Sequence, residues 1–462
     1  MRPLREIAFI LTAALLGVGL FLTGGRPAQA EGMNLVIQGE AFPVEARLLR
    51  AEGIDPRSVG LEFSLMPEDA GLVTREGRVV LYRPGEAVLG VSEAGRMVRF
   101  PLEVLPRRIP EGDFVQVFEA APRERFTSDL WAQGDLLLTG TWQGRFPPGD
   151  TRLPGDRMLL WDVGNPENPR LFDEFLLDAR TVNDVKIRAD GKLAAASHEG
   201  SEDGLNGISL FDVSDPFDPL LLTRFTQELE PGVHNLWMED DFLYAVVDGE
   251  GAGLRILDIS EPASPRIVGR FAAETSFLHD VLVRDGLAFL SHWDAGLIIL
   301  DVGNGLAGGS PENPVELSRL PDLGGQTHNA WYWPEADLLF VGERDHVTPG
   351  VLHVLDVSDL FGPREVATFA VPGDTPHNFW LDEGRGILYA AWYSEGLLAI
   401  DVTGSLLGEL EKQGRTIARA RYGSEEGCLS ASGTCTWAPQ LHKGHVFLTD
   451  MNTGLRVFRP EF

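Results

Sequence analysis

Four segments of the chain open alike: VHNLWMEDD, LHDVLVRDG, THNAWYWPE and PHNFWLDEG. Each places a histidine (His234, His279, His328 or His377) directly before Asn235, Asp280, Asn329 or Asn378. Imidazole is a good ligand for zinc, copper and iron. An amide or carboxylate beside it can hold the ring nitrogen that does not bind metal. On this reading the four histidines are ligands of a transition-metal ion, copper, iron or zinc. Asn235, Asp280, Asn329, Asn378 and Asp184 then support them from behind. A second set of candidate metal ligands, His198, His292 and His346, falls in SHEGSEDGLNG, SHWDAG and ERDHVTPG, near Asp248, Glu343, Asp345 and Asp450. These loops differ in length, and variable loops on a rigid scaffold are where sites usually sit. The competing reading is structural: a residue repeated at one position of a repeat is also what a polar network locking neighbouring units would leave. The residues alone keep both readings open.

The elements that carry these residues repeat from about Phe114 onward. In the clearest unit, LHDVLVRDG is a strand and turn, LAFLSH a second strand, LIILDVG a third and NPVELSRL a fourth. Seven such units can be read. The first begins SDLWAQGDLLLTGTW, and the last, HVFLTDMNTGLRVFRP, stops one strand short. The segment from Asp113 to Ala120 is an unassigned strand, and it is expected to complete the last unit and close a ring, which removes free sheet edges. Four short antiparallel strands per unit predict an all-β fold, a seven-bladed β-propeller over 113–462. The histidines of the first set then begin inner strands and face the central channel, where the matching positions in other units are Asn183-Asp184, Ser128-Asp129 and Trp437-Ala438. Trp237, Trp331 and Trp380 follow as packing residues between blades. The aspartates ending each third strand (Asp162, Asp212, Asp258, Asp301, Asp356 and Asp401) read as turn residues whose carboxylates accept backbone N–H groups, not as a ring of ligands.

The phrases GLRILDISEPASPRIVG and LIILDV resemble the LVIVD repeat family of exported bacterial propellers, which implies the repeat type without implying an activity. Residues 31–107, with short alternating strands broken by Gly and Pro, predict a small β-sandwich and resemble bacterial immunoglobulin-like domains. Pro106 to Asp113 reads as a linker.

At the start of the chain, Arg2 and Arg5 precede an apolar run from Ile7 to Leu22 and the small-residue site Ala28-Gln29-Ala30. This predicts a secretory signal peptide over 1–30, removed on export, with no transmembrane anchor left behind and a secreted or periplasmic product. Cys428 and Cys435 are then expected to form a disulfide. The formal net charge of −30 argues against nucleic acid as a partner. The motif search finds no P-loop, EF-hand loop or G-x-S-x-G elbow. The expected partner is a protein, a glycan or a small molecule bound by a monomer. Whether the protein is an enzyme is left open by its sequence.

Overall fold

The computed structural model describes residues 34–120, 124–143, 153–249, 251–273, 277–321, 323–344, 349–430 and 432–462. The expected signal peptide, His346, Asp345 and most of the loop after Trp142 lie outside the described residues. Nearly all regular structure is β.

From Phe114 on, the chain folds into seven successive sheets, six of four strands and one of five. The third is representative: Val233–Glu239, Phe242–Val247, Gly253–Asp258 and Arg266–Phe271 pair in order, each antiparallel to the next. The fifth sheet gains its extra strand from Gly408–Glu409, which pairs parallel with Arg364–Ala370. In the seventh, Phe114–Ala120 pairs with Gly454–Pro460, so the missing fourth strand comes from the start of this region, as its sequence led us to expect.

Each sheet buries both faces. That is why the second and third strands read as nearly unbroken apolar runs, such as LAAASH and GISLFD, instead of alternating. The cores lie between sheets. Leu254, Ile256 and Val246 of the third meet Val281, Leu290 and Ile298 of the fourth. Leu130, Leu137 and Leu159 of the first meet Phe447, Leu455 and Val457 of the seventh. First strands pack against the first strands of both neighbouring sheets, again including the seventh against the first. Most fourth strands are partly exposed, and RLFDEFL (Arg170–Leu176) is mostly so, whereas Thr416–Ala420 of the sixth sheet is largely buried.

The strand-three aspartates act at turns. Asp212 accepts the N–H of Ser214 at 2.9 Å, Asp258 that of Ser260 at 3.0 Å, and Asp356 that of Ser358 at 3.0 Å. Asp301 accepts four N–H groups, from Gly303, Gly305, Ala307 and Gly309. Cys428 and Cys435 form a disulfide.

Residues 34–105 form a separate unit of two sheets, one of four strands and one of three, around a core of Leu65, Val79, Leu81, Leu89 and Val91. One segment departs from the all-strand reading: Ala46–Ala51 is a short helix. Its sequence, ARLLRA, consists of strong helix formers, and Leu49 anchors it in the core. Residues 106–113 have no regular structure, yet they are not a free tether. Arg107 is nearly buried, donating to Asp401 at 2.6 Å and Glu40 at 2.5 Å. Arg415, fully buried beside it, donates to the carbonyls of Gly39, Thr403 and Ser405 at 2.9, 2.9 and 2.6 Å. A polar joint therefore fixes the N-terminal unit against the sixth sheet.

Candidate metal centre at the mouth of the channel

The repeated histidine sits at a β-bulge. In the third, fourth and fifth sheets the pairing of strands one and two slips by one residue at His234, His279 and His328, and the seventh sheet slips in the same way at Trp437. A bulge sets two residues against one and re-aims their side chains. Two consecutive residues thus face the axis at different levels, the histidine toward one mouth and the following Asn or Asp toward the interior.

At the mouth the four imidazoles form a continuous row. Ring centres are 4.6 Å apart for His234 and His279, 4.2 Å for His279 and His328, and 4.4 Å for His328 and His377. Trp437 continues the row 4.2 Å from His377. Two of the rings bond backbone carbonyls of the next sheet. His279 Nδ1 bonds the carbonyl of His328 at 3.0 Å, and His377 Nδ1 that of Trp437 at 2.7 Å. Asn183 does the same in the second sheet, donating to the carbonyl of His234 at 2.8 Å. These bonds tie adjacent inner strands together. Burial, and then the positive charge of neighbouring groups including Arg344, holds His279 and His328 well below the usual histidine range, so both rings are neutral.

His234 is different. Its Nδ1 lies 2.7 Å from Glu199 Oε1 and its Nε2 3.1 Å from His279 Nε2. Glu199, His234 and Asp248 each present a ligand atom within 4.8 Å of the others. Burial raises the Asp248 carboxyl to about 7, and the charge of Glu199 adds to the rise. For His234 burial opposes the charged ring, but Glu199 outweighs it and the pKa is raised. Gly232 leaves room for this arrangement: a Cβ there would meet Asp248 Oδ2 at 2.3 Å, at a backbone φ of +132°. The group forms part of the wall of a cleft of about 750 Å3, together with Arg180, Arg344, Phe277, Trp293, Trp142 and Trp437.

The supporting residues expected behind the histidines serve another chamber. Asn235, Asp280, Asn329 and Asn378 line a small cavity of about 60 Å3 deeper in the channel, with Asp129 and Lys186. Asp184 pairs with Lys186 and accepts the N–H of Leu236 at 2.9 Å. Below them the tryptophans meet across the axis as well as packing between sheets. Trp131 lies 5.5 Å from Trp237 and 5.8 Å from Trp380, and Trp331 lies 4.9 Å from Trp380.

The second histidine set does not join the cleft. His198 and His292 close the second strands of their sheets and are buried toward the outer strands, beside Arg224 and Arg319; burial first, then those arginines, lowers each ring to about 4. Strand side chains alternate, so the cleft receives the next residue along: Glu199, Trp293, Asp248, Arg344 and Trp142. Reading SHEG, SHWD, VVDG and GERD in register, one residue later, would have found them. Glu343 is likewise turned away, toward His353 at 3.1 Å, and Asp450 accepts the N–H groups of Cys435 and Thr453.

Residues 232–273 and 278–308 match the LVIVD repeat. The chain therefore carries LVIVD repeats, and the match spans the third sheet and the first three strands of the fourth. No curated protein matches the chain. Among solved structures it is similar to the computationally designed Ika8 protein, at 10% identity and a TM-score of 0.49, covering 74% of this chain and 99% of that one.

Proposed function

We propose that this chain is an exported seven-bladed β-propeller, preceded by a small immunoglobulin-like sandwich, that holds a divalent transition-metal ion at the mouth of its channel and binds a small ligand on that ion. One observation carries the reading: Glu199, His234 and Asp248 converge within 4.8 Å at a cleft wall. Two half-buried carboxylates side by side are costly unless a cation or a proton offsets them. One imidazole with two carboxylates suits zinc, iron(II) or manganese better than copper(I), which prefers softer ligands. Three protein ligands leave coordination positions open toward the cleft, the arrangement of metal centres that bind a ligand directly. The ion would polarise an oxygen of that ligand. His279 and His328, both neutral, pack with His377 as a layer behind His234. The seven sheets with a seventh-to-first core support the propeller. The disulfide favours an oxidising compartment.

A second reading is a non-catalytic scaffold that binds a protein or glycan through the same face. The tryptophan contacts across the axis favour it to this extent: they make the mouth one-ended.

Elemental analysis of the mature protein, purified without chelators, tests the first reading. About one zinc, iron or manganese ion per chain is expected. It should be lost in Glu199→Gln/Asp248→Asn with the fold intact by circular dichroism. Metal-free wild-type protein that takes up no ion on dialysis, or a double variant that keeps its full metal content, would overturn it.

A further inference from the structure

The cleft has a second charged feature that the metal centre does not use. Arg344 lines it, and among the described residues its guanidinium is paired with no carboxylate. Its recorded side-chain contact is with the ring of Tyr393, 5.4 Å away. Its charge reaches the centre, since it is among the causes acting on His234, His279 and His328. Arg180, on the same cleft, donates to Gln143 at 2.5 Å. With a divalent ion balancing Glu199 and Asp248, the two arginines leave the cleft with positive charge, inside a chain whose formal net charge is −30. A ligand for this cleft therefore brings negative charge.

The remaining walls are aromatic. Trp293 stacks on His279 at 5.6 Å and 17°, and Phe277 lies 5.0 Å from Trp293. Elsewhere on the cleft Trp142 and Trp437 lie 6.0 Å apart. Indole and phenyl faces favour flat apolar groups over flexible or strongly hydrated ones. A volume of about 750 Å3 falls within the range of small-molecule sites.

We infer that the cleft binds a small aromatic carboxylate, with its anionic head between the metal and Arg344 and its ring against the aromatic walls. The inference rests on the metal reading for one of its two anchors and on Arg344 for the other. A guanidinium and a carboxylate match in a two-point, charge-assisted geometry that a neutral alcohol cannot reproduce.

Calorimetric titration of the metal-loaded protein with 2-naphthoate, 2-naphthylmethanol and acetate tests it. Naphthoate is expected to bind at least about tenfold tighter than either of the others: the alcohol lacks the charge-assisted hydrogen-bonded pair and acetate lacks the ring, and each is worth at least about that much. Arg344→Gln should reduce the preference for naphthoate over the alcohol without abolishing it, because the metal anchor remains, with metal content unchanged, and Arg344→Lys should restore part of the loss. Equal binding of naphthoate and alcohol, equal binding of naphthoate and acetate, or an undiminished preference in Arg344→Gln would each overturn the inference while leaving the metal centre standing. The Glu199→Gln/Asp248→Asn protein separates the two anchors. Weakened naphthoate binding there supports both. Undiminished binding that still depends on Arg344 removes the metal from the ligand site and keeps the arginine.

Discussion

Arg415→Ala is expected to destabilise the protein by about 3–5 kcal/mol, the usual cost of removing one partner from a buried charged network. Arg415 is fully buried, its Nε donates to Gln413 at 2.9 Å, and its remaining N–H groups bond the carbonyls of Gly39, Asp401, Thr403 and Ser405. Burial, reinforced by the nearby charge of Arg107, lowers its pKa to about 10, and Asp401 works in the other direction. Alanine would leave these acceptors without donors and open a cavity beside Asp401, which is itself nearly buried. Arg415→Met keeps most of the volume and isolates the hydrogen-bond loss. The joint spans the N-terminal unit and the sixth sheet, so denaturation should change character as well as midpoint. One transition in the wild type should become two in the variant, with the N-terminal unit melting first. A shift under about 1 kcal/mol with a single transition retained would mean that the joint is incidental.

The second large effect is a pH dependence centred on His353. The ring is buried between Glu343, 3.1 Å from its Nε2, and Glu365 at its Nδ1. Burial alone would favour the neutral ring, but the two carboxylates outweigh it and raise the pKa to about 9. Histidine in an unfolded chain titrates near 6.5. A raised folded pKa gives stability that is complete below the unfolded value and is lost as pH rises through the folded one. The wild type should therefore lose about 2–3 kcal/mol between roughly pH 6.5 and 9 through this group, after allowing for screening at half-exposed Glu365. Subtracting the stability curve of His353→Gln from that of the wild type isolates the term, because other groups that titrate in the window, such as Asp248, are common to both. A difference that is flat across the window would contradict the assignment.

Much of the fold could be read from strand pattern and turn chemistry, because both are local. Continuous apolar runs between Gly and Asp turns marked the inner strands, and the missing last strand pointed to Phe114–Ala120. The aspartate before Ser or Gly at each third-strand end was correctly read as a turn residue. What escaped was parity and distance. The bulges at His234, His279 and His328 set each histidine and the residue after it at different levels along the axis, so the Asn and Asp positions line a different cavity from the histidines. At the second-strand ends the histidines drew attention, although the pleat gives the cleft to the residue after them. Arg344 offers no motif, and its role comes only from having no carboxylate partner among the described residues. The helix at Ala46–Ala51 takes its place from packing of Leu49 within its own unit, and the Arg107–Asp401–Arg415 joint depends on contacts across hundreds of residues in sequence.

On the proposed reading the metal binds through one histidine and two carboxylates at the mouth, not through the row of four histidines. X-ray absorption at the metal edge of the loaded protein measures this directly, because imidazole gives a multiple-scattering signature that carboxylate does not. The account predicts one imidazole and two or more oxygens, at the roughly 2.0–2.2 Å usual for such ligands. Three or four imidazoles around the ion would contradict it and return the site to His234, His279, His328 and His377 together.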